Sequence, residues 1–158
     1  MNIASMILWG FVGTVILTGL LSGSQASGFT RMNTPFMLGT MFTPGRDKAK
    51  IIGFLVHFVN GWIFASIYCA AFESWRLATW WAGVAIGAVH ASFVLLAGMP
   101  VLPSIHPRMA NEEHGPTPTK QLEPPGFMAL NYGRRTPISV MVAHLIYGGI
   151  IGAFYHLI

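Results

Sequence analysis

Four long apolar runs without a charged residue constrain the fold of this chain most strongly. None of them contains Asp, Glu, Lys or Arg, and they cover residues 3–21, 51–72, 77–102 and 138–158. About 20 consecutive apolar residues let a helix cross the hydrocarbon core of a bilayer. Only 9% of the 158 residues are charged, against about 25% in a soluble domain. The sequence therefore predicts a single all-α membrane domain with four transmembrane helices.

The positive charges predict how this domain is oriented. Eight Lys and Arg residues lie in the loops at 22–50 and 103–137, whereas the opposite side of the membrane carries only Arg76. Cytoplasmic loops of membrane proteins carry such an excess. We therefore expect both long loops to be cytoplasmic and both termini external. The net charge of +4 does not indicate nucleic-acid binding, because the basic residues lie in loops beside the apolar runs.

A motif repeated in the second and fourth runs suggests an internal duplication. The pattern His-x3-Gly-x-Ile-x4-Tyr begins at His57 and again at His144. Two tandem helix pairs with the same orientation are related by an axis along the membrane normal. The sequence thus predicts a four-helix bundle with a pseudo-twofold axis and with both histidines facing its interior. The motif tyrosines, Tyr68 and Tyr155, are expected at the external interface with their hydroxyls in water.

Few polar residues lie within the runs, and they define the candidate site. At 1.5 Å per residue, His90 of the third run falls in the same layer as His57 and His144, and Asn60 adds an amide. Gly61 and Gly148 follow the motif histidines by one helical turn, where they leave room for a flat ring or for a neighbouring backbone.

Three interpretations of this layer remain open. The histidines form structural hydrogen bonds between helices, or they bind haem b with His57 and His144 as axial ligands, or they hold a quinone. Haem is commonly ligated by histidine, and cofactors often lie between facing helices of a bundle. A zinc site is less favoured because the layer contains no carboxylate, and the single Cys69 is expected to be a packing residue.

No sequence motif of an enzyme class is present, which predicts a non-catalytic protein. The leading expectation is an accessory or scaffolding subunit of a larger membrane assembly, plausibly one that transfers electrons, without a cofactor of its own. Its partners would be the lipid bilayer and other integral membrane subunits, because three Gly-x3-Gly pairs, starting at Gly19, Gly83 and Gly148, allow close helix contacts. The alternative is a small electron carrier that binds haem b or a quinone through His57 and His144.

The two long loops carry further expectations. Asn33 is placed to cap a short helix over residues 34–42, which could lie on the membrane surface. Seven prolines between residues 100 and 125 exclude a continuous helix and leave an extended, packed segment or a disordered linker as alternatives. His106, Glu112, Glu113 and His114 form at most a weak metal site.

Several stretches resemble an uncharacterised family of small bacterial four-helix membrane proteins. They are "TPFMLGTMF", "GFLVHFVNGWIFASIY", "SIHPRM" and "NYGRRTPISVMVAHLIYGGIIGAFY". The resemblance implies a four-span protein of the bacterial inner membrane. It implies no activity, cofactor or catalytic residue.

Overall fold

A computed structural model describes residues 1–111 and 115–158 of the chain. It is 72% helical, and within the described residues it contains no strand. The α-helices are α1 (Ile3–Ala26), α2 (Thr34–Gly39), α3 (Arg46–Trp75), α4 (Trp80–Phe93), α5 (Met99–Ile105) and α6 (Thr136–Phe154). A π-helical turn, Val94–Gly98, joins α4 to α5, and a 3-10 helix, Phe127–Tyr132, precedes α6.

Four helical segments are long and apolar enough to cross a membrane, which confirms the predicted number of spans. They are α1, α3, the continuous Trp80–Ile105 segment and α6. Their ends differ from the apolar runs, since α3 begins five residues early, at Arg46, and α6 ends at Phe154. Asp47 lies in the first turn of α3, where a carboxylate is favoured by the helix dipole. Hydropathy does not detect such a polar first turn.

Side-chain caps fix the starts of three helices. The side-chain oxygens of Asn2, Asn33 and Thr79 accept backbone N–H bonds at the starts of α1, α2 and α4. Each satisfies one of the amide donors that a helix start leaves free. The predicted Asn33 cap is present, although α2 ends at Gly39 and its Met37 is buried instead of lying on the membrane surface.

Glycines bring the helix backbones into contact. A Cβ added to Gly83 of α4 would lie 2.0 Å from the carbonyl oxygen of Gly148 in α6, and one at Gly61 would lie 1.9 Å from Thr14 Oγ1 of α1. Helix α1 also packs on α6. Between α3 and α4 the contacts we find are made by side chains, with the Phe64 ring stacked on His90 at 3.7 Å between centroids.

The two ends of the bundle are chemically different. At one end the Tyr155 hydroxyl donates to Glu73 Oε1 at 2.7 Å, and the amino group of Met1 lies 3.8 Å from the same oxygen. At the other end the two long loops meet, with the Thr30 and Thr136 hydroxyls 2.6 Å apart. The termini and the 76–79 turn therefore lie opposite both long loops.

One prediction about the tyrosines is wrong. Tyr68 is 1% exposed, and its hydroxyl contacts His90 Nδ1 at 3.2 Å instead of reaching water. Helix α3 extends to Trp75, so Tyr68 lies almost two turns inside its end. Tyr155 is also buried, and its hydroxyl is bound to Glu73.

His106 fixes the start of the proline-rich loop against α2. Its ring is 1% exposed. Nε2–H donates to the Met37 carbonyl at 3.0 Å, and Nδ1 accepts the Arg108 backbone N–H at 3.1 Å. Further on, the Ala110 N–H donates to the Leu122 carbonyl at 2.9 Å and the Leu122 N–H donates to the Arg108 carbonyl at 3.0 Å, which joins the two arms of the loop. The described part of this loop is therefore an extended segment packed on the bundle, as one of the two alternatives predicted.

The His106 contacts predict that acid weakens the packing of this loop. Burial, together with the nearby Arg108 charge, lowers the pKa of His106, so folding favours the neutral ring. The stability that this ring contributes is present above its ordinary pKa of about 6.5 and is lost as the pH falls below it. Protonation of Nδ1 would also break the bond from Arg108. We expect the unfolding temperature in detergent to fall between pH 7.5 and 5, and His106→Gln to reduce that fall. An unchanged pH profile in this variant would contradict the assignment.

Candidate functional site: a histidine-lined cavity

A cavity of about 220 Å³ lies between the four spans at the end where the long loops meet. Helices α1, α3, α4 and α6 form its walls, and α2 with the residue Met32 before it, the π-helical turn and α5 complete it. Its polar lining residues are Thr14, Thr34, His57, Asn60, His90, His144 and Tyr147. The remaining lining is mostly aliphatic or methionine, with Met32, Met37 and Met99 among it.

The structure brings five of the six sequence-predicted site residues to this cavity. They are His57, His90, His144, Asn60 and Gly61. Gly148 does not line it, because that residue packs against the Gly83 backbone and the Tyr68 ring. The Cβ position of Gly61 is likewise filled by Thr14. Both glycines therefore serve contacts between helices, and neither makes room for a flat ring.

Each histidine has its Nδ1 atom engaged. His57 Nδ1 lies 3.0 Å from Thr18 Oγ1, and His144 Nδ1 lies 2.8 Å from the Val140 carbonyl oxygen one turn earlier in α6. His90 Nδ1 faces the Tyr68 hydroxyl. Metal- and ligand-binding histidines are commonly oriented by such a bond through the second ring nitrogen.

The other ring nitrogens have no protein partner in the part of the chain that the structure describes. No hydrogen bond joins the Nε2 atoms of His57, His90 and His144, or the Asn60 amide, to another described residue. Thr34 Oγ1 is the one fully buried side-chain oxygen or nitrogen without a partner among the described residues, whereas the histidine Nε2 atoms and the Asn60 amide are not fully enclosed. Buried polar groups are nearly always hydrogen-bonded, to protein or to another molecule. The cavity therefore concentrates unsatisfied polar atoms within an apolar bundle.

The three imidazoles are close but do not form a ready metal site. The rings of His90 and His144 are perpendicular, with centroids 4.6 Å apart. Among residues 1–111 and 115–158, no group of three or more His, Cys, Asp or Glu is arranged to hold a metal ion. Of the weak loop site suggested by the sequence, Glu112, Glu113 and His114 lie outside the described residues.

Side chains of α3 and α4 form one side of the cavity. Asn60, Phe64 and His90 line it there, and all three are partly exposed. The Phe64 ring covers His90 and lies 6.4 Å from Phe93, which is 56% exposed.

Sequence reasoning missed the contribution of the first long loop. Met32, Thr34, Met37 and Leu38 close the loop end of the cavity, because α2 folds back onto α3. A Cβ at Gly53 would lie 1.6 Å from the Pro35 carbonyl oxygen. Gly39 and Gly53 permit this backbone contact, but nothing in the sequence indicates that these two glycines lie against each other.

Comparison with known proteins identifies no relative of this chain. No protein-family model matches the chain, and no match is found among curated proteins or solved structures. The resemblance to an uncharacterised bacterial family therefore stays a prediction.

Proposed function

We propose that this protein is a membrane-embedded binding protein for a quinone-type ligand, a compact ring with polar oxygens and an apolar body. The observation that carries the proposal is a set of polar lining atoms without a protein partner, the Nε2 atoms of three histidines among them, around an otherwise apolar cavity. Typical small-molecule sites have this character, with an apolar lining and a few placed polar groups. The partly exposed α3–α4 side suits a ligand that enters from the bilayer and leaves its tail there.

The size of the cavity favours a quinone head group over haem b. Its 220 Å³ is below the about 300–1,000 Å³ of sites for drug-sized ligands, and haem needs space for four pyrrole rings linked into one flat macrocycle. The positions at which Gly61 and Gly148 would have admitted a macrocycle are filled by Thr14 and Gly83. A one-ring or two-ring head group between the histidines requires no such space.

A binding titration tests this proposal. Purified protein in detergent micelles is titrated with a short-tailed benzoquinone, and the unfolding temperature is recorded. Because a ligand that binds only the folded state stabilises it by about 2.7 kcal/mol at one hundred times Kd, we expect a clear, saturable rise. The control is an alkylbenzene of equal hydrophobicity, which has no oxygen atoms. Equal shifts with both compounds would contradict specific binding.

The second candidate function, an accessory subunit of a larger membrane assembly, is favoured by a different surface. Gly19 and Gly23 of α1 have no neighbour within 4 Å of their Cβ positions, and they line an apolar groove between α1 and α6. The glycines at 83, 87, 148 and 152 are already in contact within the bundle. Small residues left open on a lipid-facing helix suit the close approach of another transmembrane helix.

This candidate predicts that the groove retains a partner subunit. Gly19→Leu and Gly23→Leu should leave the fold intact, since the space is open, and should remove a partner that co-purifies from native membranes in mild detergent. Val89→Leu, on an exposed face of α4, is the matched control. Wild-type protein that purifies without any membrane partner would contradict this function.

We further propose that the two helix pairs are tandem repeats. In support, a Cβ at Gly10 would meet Ala65, and one at Gly83 would meet Gly152, both eight residues after a motif histidine. Contacts between α1 and α6 have no equally close counterpart between α3 and α4, where the proposed ligand enters. A repeat predicts that Gly10→Leu and Gly83→Leu both lower stability, through the same contact between the two helices of a pair.

The charge asymmetry supports an orientation with both long loops in the cytoplasm, and we propose the bacterial inner membrane as the location. Fusion of reporters after Ile158 checks it. Alkaline phosphatase, which is active outside the cytoplasm, should be active there, and a reporter that folds only in the cytoplasm should not. The opposite pair of results would reverse the orientation.

A further inference from the structure

The hydrogen bonds to Nδ1 of His57 and His144 indicate which ring nitrogen of each histidine carries the proton. Thr18 Oγ1 donates its single proton to the Thr14 carbonyl at 2.7 Å. With its proton placed there, it offers only lone pairs to His57, so that Nδ1 of His57 carries the proton of their 3.0 Å bond. The Val140 carbonyl oxygen can only accept, so Nδ1 of His144 is also protonated. Both assignments follow from the donor and acceptor inventory of the groups.

These tautomers leave a lone pair on Nε2 of His57 and of His144. A second proton on either ring would place a charge inside an apolar bundle without a carboxylate among the lining residues, which is costly in a membrane. Moving the proton of His144 to Nε2 would set its Nδ1 lone pair against the Val140 carbonyl oxygen. Two of the three imidazoles therefore face the ligand as acceptors. His90 is free to be donor or acceptor, because Tyr68 O–H can play either role towards its Nδ1.

We infer that the cavity selects the reduced, hydrogen-bond-donating form of its ligand, a quinol in preference to the corresponding quinone. This inference rests on the proposed function and names the redox form that its site prefers. A quinol offers two O–H donors to the two Nε2 acceptors. A quinone offers only carbonyl oxygens, which can accept from Asn60, Thr34 or His90. It leaves the Nε2 lone pairs of His57 and His144 unpaired. Binding sites reject a ligand strongly when buried polar groups are left unpaired.

Substitution of Thr18 tests the proton position on His57 without changing a residue that contacts the ligand. Thr18 is 3% exposed and does not line the cavity, yet it sets the proton position on His57. In Thr18→Val the Nδ1 proton loses its acceptor, and the ring is free to place the proton on Nε2. Thr18 is thus a positioning residue, and its substitution should change the preference between redox forms more than the affinity for the quinone.

The experiment compares one short-tailed benzoquinol, kept reduced anaerobically with dithionite, and its benzoquinone, both titrated into detergent-solubilised wild type, Thr18→Val and His144→Leu. We expect the wild type to bind the quinol about tenfold more tightly or better, which corresponds to one or two net hydrogen bonds. Both variants should lower that ratio severalfold. Nitrogen-15 NMR of labelled histidine should show protonated Nδ1 on His57 in the wild type and a mixture in Thr18→Val.

The possible results are distinct. Equal affinities, or tighter binding of the quinone, would overturn this inference and leave a quinone-type site in place. A ratio unchanged by Thr18→Val, or a His57 protonated on Nε2 in the wild type, would overturn the tautomer mechanism on which the inference stands. Binding of neither compound would overturn both the inference and the proposed function.

Discussion

Replacing Gly83 by alanine should lower the stability of the bundle by about 3 kcal/mol, towards the upper end of the usual cost of overpacking. The added Cβ would lie 2.0 Å from the Gly148 carbonyl oxygen. The obstructing atom belongs to a helix backbone, so no side-chain rotation can relieve the clash. Helices α4 and α6 would have to move apart, with loss of dispersion contacts along their interface. The midpoint of unfolding in mixed micelles of mild detergent and dodecyl sulfate measures the effect.

Gly19→Ala is the matched control for this prediction. It adds the same methyl group to a membrane helix, but no atom lies within 4 Å of its Cβ position. Alanine is favoured over glycine in a helix by about 1 kcal/mol, so the control should be neutral or slightly stabilising. Equal losses in both variants would show that the α4–α6 contact is not as close as described.

Replacing His57 and His144 together by leucine should greatly weaken the stabilisation that a benzoquinol provides, and should change that of the benzoquinone much less. Each ring contributes an Nε2 atom to the cavity, and the loss of one hydrogen bond weakens binding by about tenfold or less. The two together, with the loss of cavity volume to leucine, should shift the Kd of the benzoquinol by about a hundredfold. The thermal titration with benzoquinone and benzoquinol in detergent measures this.

The double variant should still fold, because neither substitution leaves a polar group unpaired. Thr18 Oγ1 keeps its bond to the Thr14 carbonyl, and the Val140 carbonyl keeps its place within α6. His156→Leu, at the exposed end of the chain, is the control and should retain full ligand stabilisation. A double variant that unfolds in mild detergent would indicate that the histidines have a structural role instead.

The sequence predicted the parts of this molecule that depend on periodicity and composition. Uncharged runs of about 20 residues left few alternatives to four membrane helices. The equal depth of His57, His90 and His144 followed from the rise of a helix. The sequence pattern did not predict contacts that depend on how each helix is rotated about its own axis. For this reason the Tyr68 hydroxyl was wrongly expected in water. Hydropathy is nearly uniform around these helices, so it does not say which face meets protein and which meets lipid.

The site was predictable only in outline for a similar reason. Residues that stand out by being rare in apolar helices, such as His90 and Asn60, were found. Thr18, whose Oγ1 lies 3.0 Å from His57 Nδ1, looks like any other small polar residue of a membrane helix. Met37 and Thr34 reach the cavity through a backbone contact between α2 and α3 that no local pattern encodes. Each of these depends on a tertiary contact.

The most direct measurement of the central claim is the ligand content of protein purified from native membranes. Solvent extraction of that protein, followed by an ultraviolet redox-difference spectrum, reports any bound quinone or quinol. The account predicts about one quinone-type molecule per chain in the wild type and a strongly reduced amount in the His57→Leu/His144→Leu double variant. Extracts without a quinone, or a purified protein that shows the visible absorption bands of haem b, would contradict it.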